Sequence, residues 1–261
     1  MTAMGKEITL LQGDCLELMK NIPDKSIDMV CCDLPYGTTA CKWDSVIPFE
    51  LLWEQYNRIV KKHGVVALFG TQPFTSQLVL SNIKHFKYEI IWHKSKSGSA
   101  FTAKYRPIAK HENVCIFCKG TATYNPQLVK GEPYSRIHKK SETTINNHNI
   151  GFKHSDNEEV VSVNTGFRYP ETVQFFQQKW RRQDQLHPTQ KPVDLLEWLI
   201  KSYTNEHDVV LDNCMGSGST GIACLNTNRD FVGMELNEEY FSVAKTRIEE
   251  HKLRMSNNPT A

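Results

Sequence analysis

The stretch "DVVLDNCMGSGSTGIACLNTNRDFVGMEL", residues 208–236, reads as a short apolar strand, a glycine-rich turn, a helix, a second strand and an acid at its tip. Glycines at such a turn let the backbone approach a ligand at the carboxyl edge of a sheet. An acid some twenty residues further on can grip a ribose through both hydroxyls. Glu235 follows Gly218 by 17 residues. Gly216, Gly218 and Gly221 complete a GxGxxG count, so the spacing alone does not separate a dinucleotide from another adenosine cofactor.

Working outward, the same alternation fills both ends of the chain. "EITLLQGD", "IDMVCCD", "GVVALFG", "YEIIWHK" and "ENVCIFCKG" read as strands. Between them, residues 48–62 place Phe49, Leu52, Trp53, Tyr56, Ile59 and Val60 at helical spacing, and "PFTSQLVLSNI" reads as a second helix. "KPVDLLEWLIKSYT" precedes the quoted unit as a helix, and "NEEYFSVAKTRIEEHKLRM" closes the chain as another. Strands alternating with helices predict an α/β, doubly wound, mostly parallel sheet covered on both faces. From residue 121 to 185 the texture changes to polar, aperiodic sequence and then to aromatics mixed with Lys and Arg, which predicts an insertion between 1–120 and 186–261.

Composition bounds the function. The 261 residues are 39% hydrophobic and 23% charged, as in ordinary globular proteins. No apolar run reaches the roughly 18 residues of a membrane span, and the N-terminus lacks a signal-peptide layout, so a cytoplasmic protein is expected. Eight cysteines, several within apolar strands, point to reduced thiols rather than a disulfide framework, and "CIFC" at 115–118 has no second ligand pair at metal spacing. The net charge of +2 excludes little, but seven basic residues stand against Glu89 alone between Lys84 and Lys110. Such a stretch suits a polyanion.

A second motif sits at 33–44, "DLPYGTTACKWD", directly after the apolar run "IDMVCC". Burying Asp33 is costly unless something pairs with it. An exocyclic base amine is a poor nucleophile because its lone pair is delocalised into the ring. An enzyme can activate it by accepting hydrogen bonds from both N–H groups. Asp33 supplies a carboxylate for this and the Leu34 backbone a carbonyl. Pro35 stiffens the turn, and Tyr36 can stack on an extruded base.

Together these residues resemble the amino-methyltransferases that methylate DNA bases with S-adenosylmethionine. Their [DNS]-P-P-[YFW] signature stands as Asp33-Leu34-Pro35-Tyr36, and their F-x-G-x-G as Cys214-Met215-Gly216-Ser217-Gly218. The order, with the base-side block first and the cofactor block last, is that of the β subgroup. "HPTQKP" at 187–192, "HENVCIF" at 111–117 and Asp14 in "QGD" match further blocks. The resemblance covers about 195 residues, all but 121–185. It implies a seven-stranded Rossmann-like methyltransferase sheet, whose catalytic half is 1–120 and cofactor half 186–261, around an inserted target-recognition region. It implies a site of Asp33, Leu34, Pro35 and Tyr36, with cofactor contacts from Asp14, Asp212, Gly216, Gly218, Glu235 and Lys191, beside His187. It implies no metal. Asp at the first signature position favours adenine N6 over cytosine N4. Leu34 in place of the first Pro keeps the carbonyl and relaxes the turn, while Cys214 in place of Phe removes apolar surface near the cofactor's methionine end.

Double-stranded DNA is the implied partner, through Lys94, Lys96, Lys104 and Arg106 in one loop and Arg168, Arg181 and Arg182 in the insertion, beside Tyr169, Lys179 and Trp180. The resemblance leaves room for a homodimer and a cognate restriction nuclease in a bacterial or phage setting. The competing readings are an NAD-dependent oxidoreductase built on 208–236, a methylase-like module without catalysis, and the same amine chemistry on RNA or protein glutamine.

Overall fold

The computed structural model describes residues 7–37, 45–98, 101, 103–138, 160–178 and 190–257. In chain order the elements are β1 (Ile8–Gln12), α1 (Cys15–Met19), β2 (Ile27–Cys32), α2 (Phe49–Ile59), β3 (Val60–Gly70), α3 (Phe74–Ser81), β4 (Phe86–Lys94) and β5 (His111–Phe117). The short strands β6 (Val129–Lys130), β7 (Tyr134–His138), β8 (Val160–Asn164) and β9 (Phe167–Arg168) follow. The chain ends with β10 (Val173–Phe176), α4 (Val193–Tyr203), β11 (Val209–Asp212), α5 (Ser219–Thr227), β12 (Asp230–Glu235) and α6 (Glu238–Asn257). Residues 1–125 with 171–261 make one compact unit, and residues 126–170 a second, narrower than the 121–185 stretch that composition marks off.

The first unit holds a sheet in the order β1-β12-β11-β2-β3-β5-β4-β10. Its neighbours pair in parallel except where β5 runs antiparallel between β3 and β4. Successive residues of β2 feed opposite faces. Met29 and Cys31 join a core with α4, α5 and α6 residues such as Leu199, Ile222 and Ile248. Val30 and Cys32 join another with Met19, Leu52, Tyr56 and Leu78 from α1, α2 and α3. Among the described residues, three helices thus cover each face. That is why "IDMVCC" is continuously apolar rather than alternating.

Two expectations are corrected. Among the described residues the sheet has eight strands, not seven: β10, from the stretch read as insertion, adds to the edge of β4, with Trp92 Nε1 donating to Phe176 O at 3.1 Å. Helix α2 stops at Ile59 rather than at 62, because Val60 already pairs with Ile27. A β-branched residue at a sheet position gains more from the ladder than from another helical turn. The short helix α1 was not anticipated. Asp14 caps it, its Oδ1 accepting from Leu16 N at 2.8 Å.

In the second unit β6 pairs with β9 and β7 with β8, both antiparallel. Among the described residues no helix is long and apolar enough to cross a membrane. The seven described cysteines are unbridged.

Candidate active site

The crossover from β11 through α5 leads to β12 on one side of the sheet. The crossover from β2 through α2 leads to β3 on the other. Strand order therefore reverses between β11 and β2, and a crevice opens beyond their carboxyl ends. A cavity of about 440 Å³ lies there, within the range of small-molecule sites. Both sequence motifs reach it. Asp33, Leu34, Pro35 and Tyr36 line it from the end of β2, and Asn213, Cys214, Met215, Gly216 and Ser217 from the end of β11.

Asp33 has partners within the protein. Tyr36 Oη donates to its Oδ1 at 2.6 Å, and the Lys191 ammonium donates to its Oδ2. Burial pushes the Asp33 carboxyl up and Lys191 opposes that shift. Lys191 is only 7% exposed. It also faces Glu112 Oε2 at 3.4 Å and sits 5.1 Å from the Phe69 ring centroid. Leu34 is buried among the residues of the α1–α3 face, so the core absorbs the departure from Pro. The Tyr36 ring lies 4.9 Å from that of Phe74.

On the cofactor side, Glu235 accepts from Gly216 N and from Asn237 N, each at 2.9 Å. Burial pushes its carboxyl up, against those amides. Asp14 lines the cavity from the α1 cap, and Gly216 adopts φ +51° beside it. Gly218 and Asp212 do not line the cavity. Gly218 has φ +76°, and a Cβ there would meet Ile248 Cδ1 at 2.9 Å, so its smallness serves the approach of α6. Asp212 accepts from Thr220 Oγ1 at 2.5 Å and from Cys214 N at 3.1 Å, bracing the turn from within.

The basic candidates separate. Lys96, Lys104 and Arg106 are exposed on the β4–β5 connection. Lys94 instead pairs with Glu112 and lies 5.3 Å from the Trp92 ring centroid. Arg168, in the second unit, donates from Nη2 to Glu132 O at 2.9 Å. Lys179, Trp180, Arg181, Arg182 and His187 lie outside the described residues.

Sequence reasoning missed Glu112 as a partner, and also the lining residues Val46, Ile47, Asn213, Leu236 and Tyr240. Glu112 carried a readable signal, an acid inside an apolar strand, the same anomaly that singled out Asp33. Asn213 is held by Tyr56, whose Oη donates to its Oδ1 at 2.6 Å. No signal in the sequence marked that pairing.

The type II methyltransferase M.HpaI of Haemophilus parainfluenzae is 28% identical over 92% of this chain and 74% of its own. The DNA adenine methyltransferase YhdJ of Escherichia coli is 28% identical over 95% of this chain and 85% of its own. Among solved structures, the M1.HpyAVI–SAM complex matches with a TM-score of 0.63 at 24% identity, over 92% of this chain and 98% of that one. The cytosine-N4-specific PvuII DNA methyltransferase matches with a TM-score of 0.63 at 16% identity, over 96% and 93%. At these identities the two structures speak for the fold. The family model described as DNA methylase matches residues 27–246, most of the chain and both motifs, and the protein belongs to that DNA methylase family.

Proposed function

We propose that the protein transfers a methyl group from S-adenosylmethionine to the exocyclic N6 of adenine at a specific sequence in double-stranded DNA. The observation that carries this reading is that Asp33-Leu34-Pro35-Tyr36 and the Gly216 turn, 180 residues apart in sequence, line one cavity. The name of one relative, the DNA adenine methyltransferase YhdJ, supports the choice of base.

The lining residues fit the cofactor. Glu235 keeps lone pairs for ribose hydroxyls beyond those engaged by the two amides. Leu16, Ile47 and Leu236 line the cavity and would offer apolar walls to an adenine, with Asp14 to meet its edge and Gly216 the amino-acid moiety. When bound, S-adenosylmethionine supplies an electrophilic methyl on a sulfonium.

The protein's own part is to hold and polarise the base. An extruded adenine lies against the Tyr36 ring. Asp33 accepts one amine N–H on a lone pair that neither Tyr36 nor Lys191 uses, since each carboxylate oxygen has two. The Leu34 carbonyl accepts the other. The amine lone pair would thereby be directed at the methyl, whose bond to sulfur breaks as its bond to nitrogen forms, and the nitrogen would shed its proton once it has become cationic. Positioning and electrostatics carry the rate. Duplex DNA is held through Lys96, Lys104 and Arg106, with the 121–185 region reading the sequence. A homodimer and a cognate nuclease are part of the same proposal, to be checked by sedimentation and by restriction of unmodified DNA in the host.

The test is incubation with S-adenosylmethionine and unmethylated plasmid, digestion to nucleosides and mass spectrometry. N6-methyldeoxyadenosine is the expected product. N4-methyldeoxycytidine would keep the mechanism and overturn the base. No methylated nucleoside over a panel of DNA sequences, with cofactor bound, would overturn the reading.

A further inference from the structure

Behind Asp33 runs a line of charges of alternating sign, half-buried at its ends and buried at Lys191 and Glu112. Asp33 meets Lys191, Lys191 meets Glu112 and Glu112 meets Lys94. Glu112 pairs across the ladder with Trp92, and Lys94 follows on the same face of β4, which is what brings the last two together. Two acids and two bases balance, and removing any one upsets that balance around the buried Lys191 and Glu112.

We infer that Lys191 is a positioning residue for methyl transfer: its ammonium, backed by Glu112, fixes the Asp33 carboxylate in the orientation that receives the substrate amine. This rests on the reading that Asp33 grips that amine. The geometry favours it over a grip on the cofactor's carboxylate. Lys191 lines the cavity, but its ammonium is engaged by two carboxylates and lies over the face of Phe69. Glu112 does not line the cavity, so its contact with the chemistry runs through Lys191, although Asp33 also feels its charge directly.

The arrangement has a signature in pH. Facing Asp33 are the Tyr36 hydroxyl, Lys191 and Glu112, and the nearby Asp212, Cys31 and Cys32 feel its charge. Burial drives the Asp33 carboxyl up, Lys191 pulls it down and Glu112 pushes it up. Burial lowers the Lys191 ammonium, but the two carboxylates outweigh burial and hold it up. Burial raises Glu112, and Lys191 with Lys94 outweigh that. Loss of the Lys191 charge therefore raises Asp33 further, and loss of the Glu112 charge lowers it. Activity that needs ionised Asp33 is present above its pKa and lost as pH falls through it.

The experiment is single-turnover methyl transfer from pH 5 to 9 at saturating cofactor and DNA, with dissociation constants for both, on Lys191→Met, Lys191→Arg and Glu112→Gln. Lys191→Met is expected to lower the transfer rate about 10- to 100-fold at neutral pH, the scale of a catalytic group misplaced by up to about 1 Å, and to move the acid limb to higher pH. Its cofactor affinity should hold. Glu112→Gln should move the limb to lower pH, and Lys191→Arg should regain most of the rate. A mere packing role predicts no such opposed shifts. If Lys191→Met does not fold, the downward shift in Glu112→Gln and the rate of Lys191→Arg decide. Weakened cofactor binding with an unchanged rate at saturation would make Lys191 a cofactor ligand and overturn the inference, as would acid limbs that do not move. An unaltered enzyme that methylates no nucleoside sinks the underlying reading and this one with it, whereas unmoved limbs in an active enzyme sink the positioning role alone.

Discussion

Replacing Asp212 with Asn tests the internal brace of the cofactor turn. Asp212 is 4% exposed, and burial, opposed by the Thr220 hydroxyl and the Cys214 amide, pushes its carboxyl up to about 6 from the ordinary 3.8. The folded protein therefore holds one more proton than the unfolded chain between these pH values, and stability falls as pH rises through that window. At about 1.36 kcal/mol per pH unit the loss is roughly 3 kcal/mol, complete above pH 6. Asn removes it. Asn also replaces a carboxyl that is neutral near pH 4 in its two hydrogen bonds to Thr220 and Cys214, at a cost of about 1 kcal/mol. The variant should thus be about 1 kcal/mol less stable than the parent near pH 4 and about 2 kcal/mol more stable near pH 7. Urea unfolding of both proteins across that range reads the difference, and the other titrating groups cancel in it. A stability difference that stays flat from pH 4 to 7 would refute the reasoning. Because Asp212 lies off the cavity, cofactor affinity should change less than about threefold, under 1 kcal/mol; a tenfold loss would place it in the binding site after all.

Asp33→Ala should cut methyl transfer by about 10² to 10³ or more, the scale of one lost transition-state contact, while cofactor still binds by calorimetry; wild-type turnover would remove Asp33 from the chemistry. Glu235→Ala should weaken cofactor binding about 10- to 100-fold through lost charged hydrogen bonds, and an unchanged affinity in calorimetry would move the ribose elsewhere. Lys104→Ala with Arg106→Ala should flatten the dependence of log DNA affinity on log salt by about 1.8, as for two phosphate contacts. A parallel shift with the slope intact would take both residues off the backbone.

The two motifs and the alternation of elements were legible because they are local. Strand, turn, helix and strand over 208–236 appear within a residue or two of their expected places, since the apolar runs and the glycines that separate them lie within one short window. β10 was not legible. Its four residues carry no strand pattern of their own and become a strand only by pairing with the β4 edge. The end of α2 failed similarly, where long-range pairing of Val60 overrode local periodicity. In the site, Asp33 was readable as a buried acid in need of company. That its company includes Lys191, 158 residues away, was not, because a lysine before a helix looks like any other until the fold turns it inward. Gly218 was read as room for a ligand and serves α6, since sequence marks where a side chain is missing but not which neighbour uses the space.

The pairing of β1 with β12 has a consequence for how the protein is born. The ribosome makes the first strand of the sheet long before its partner, and β2 likewise waits for β11. A chain cut short in synthesis lacks the Gly216 turn and Glu235, so it cannot assemble the cavity even if its earlier elements collapse. Such pairing across the whole length is slow to form. In exchange, the two halves of the site become competent together, once β11 and β12 have been made, and a product that stops short of them carries half a pocket.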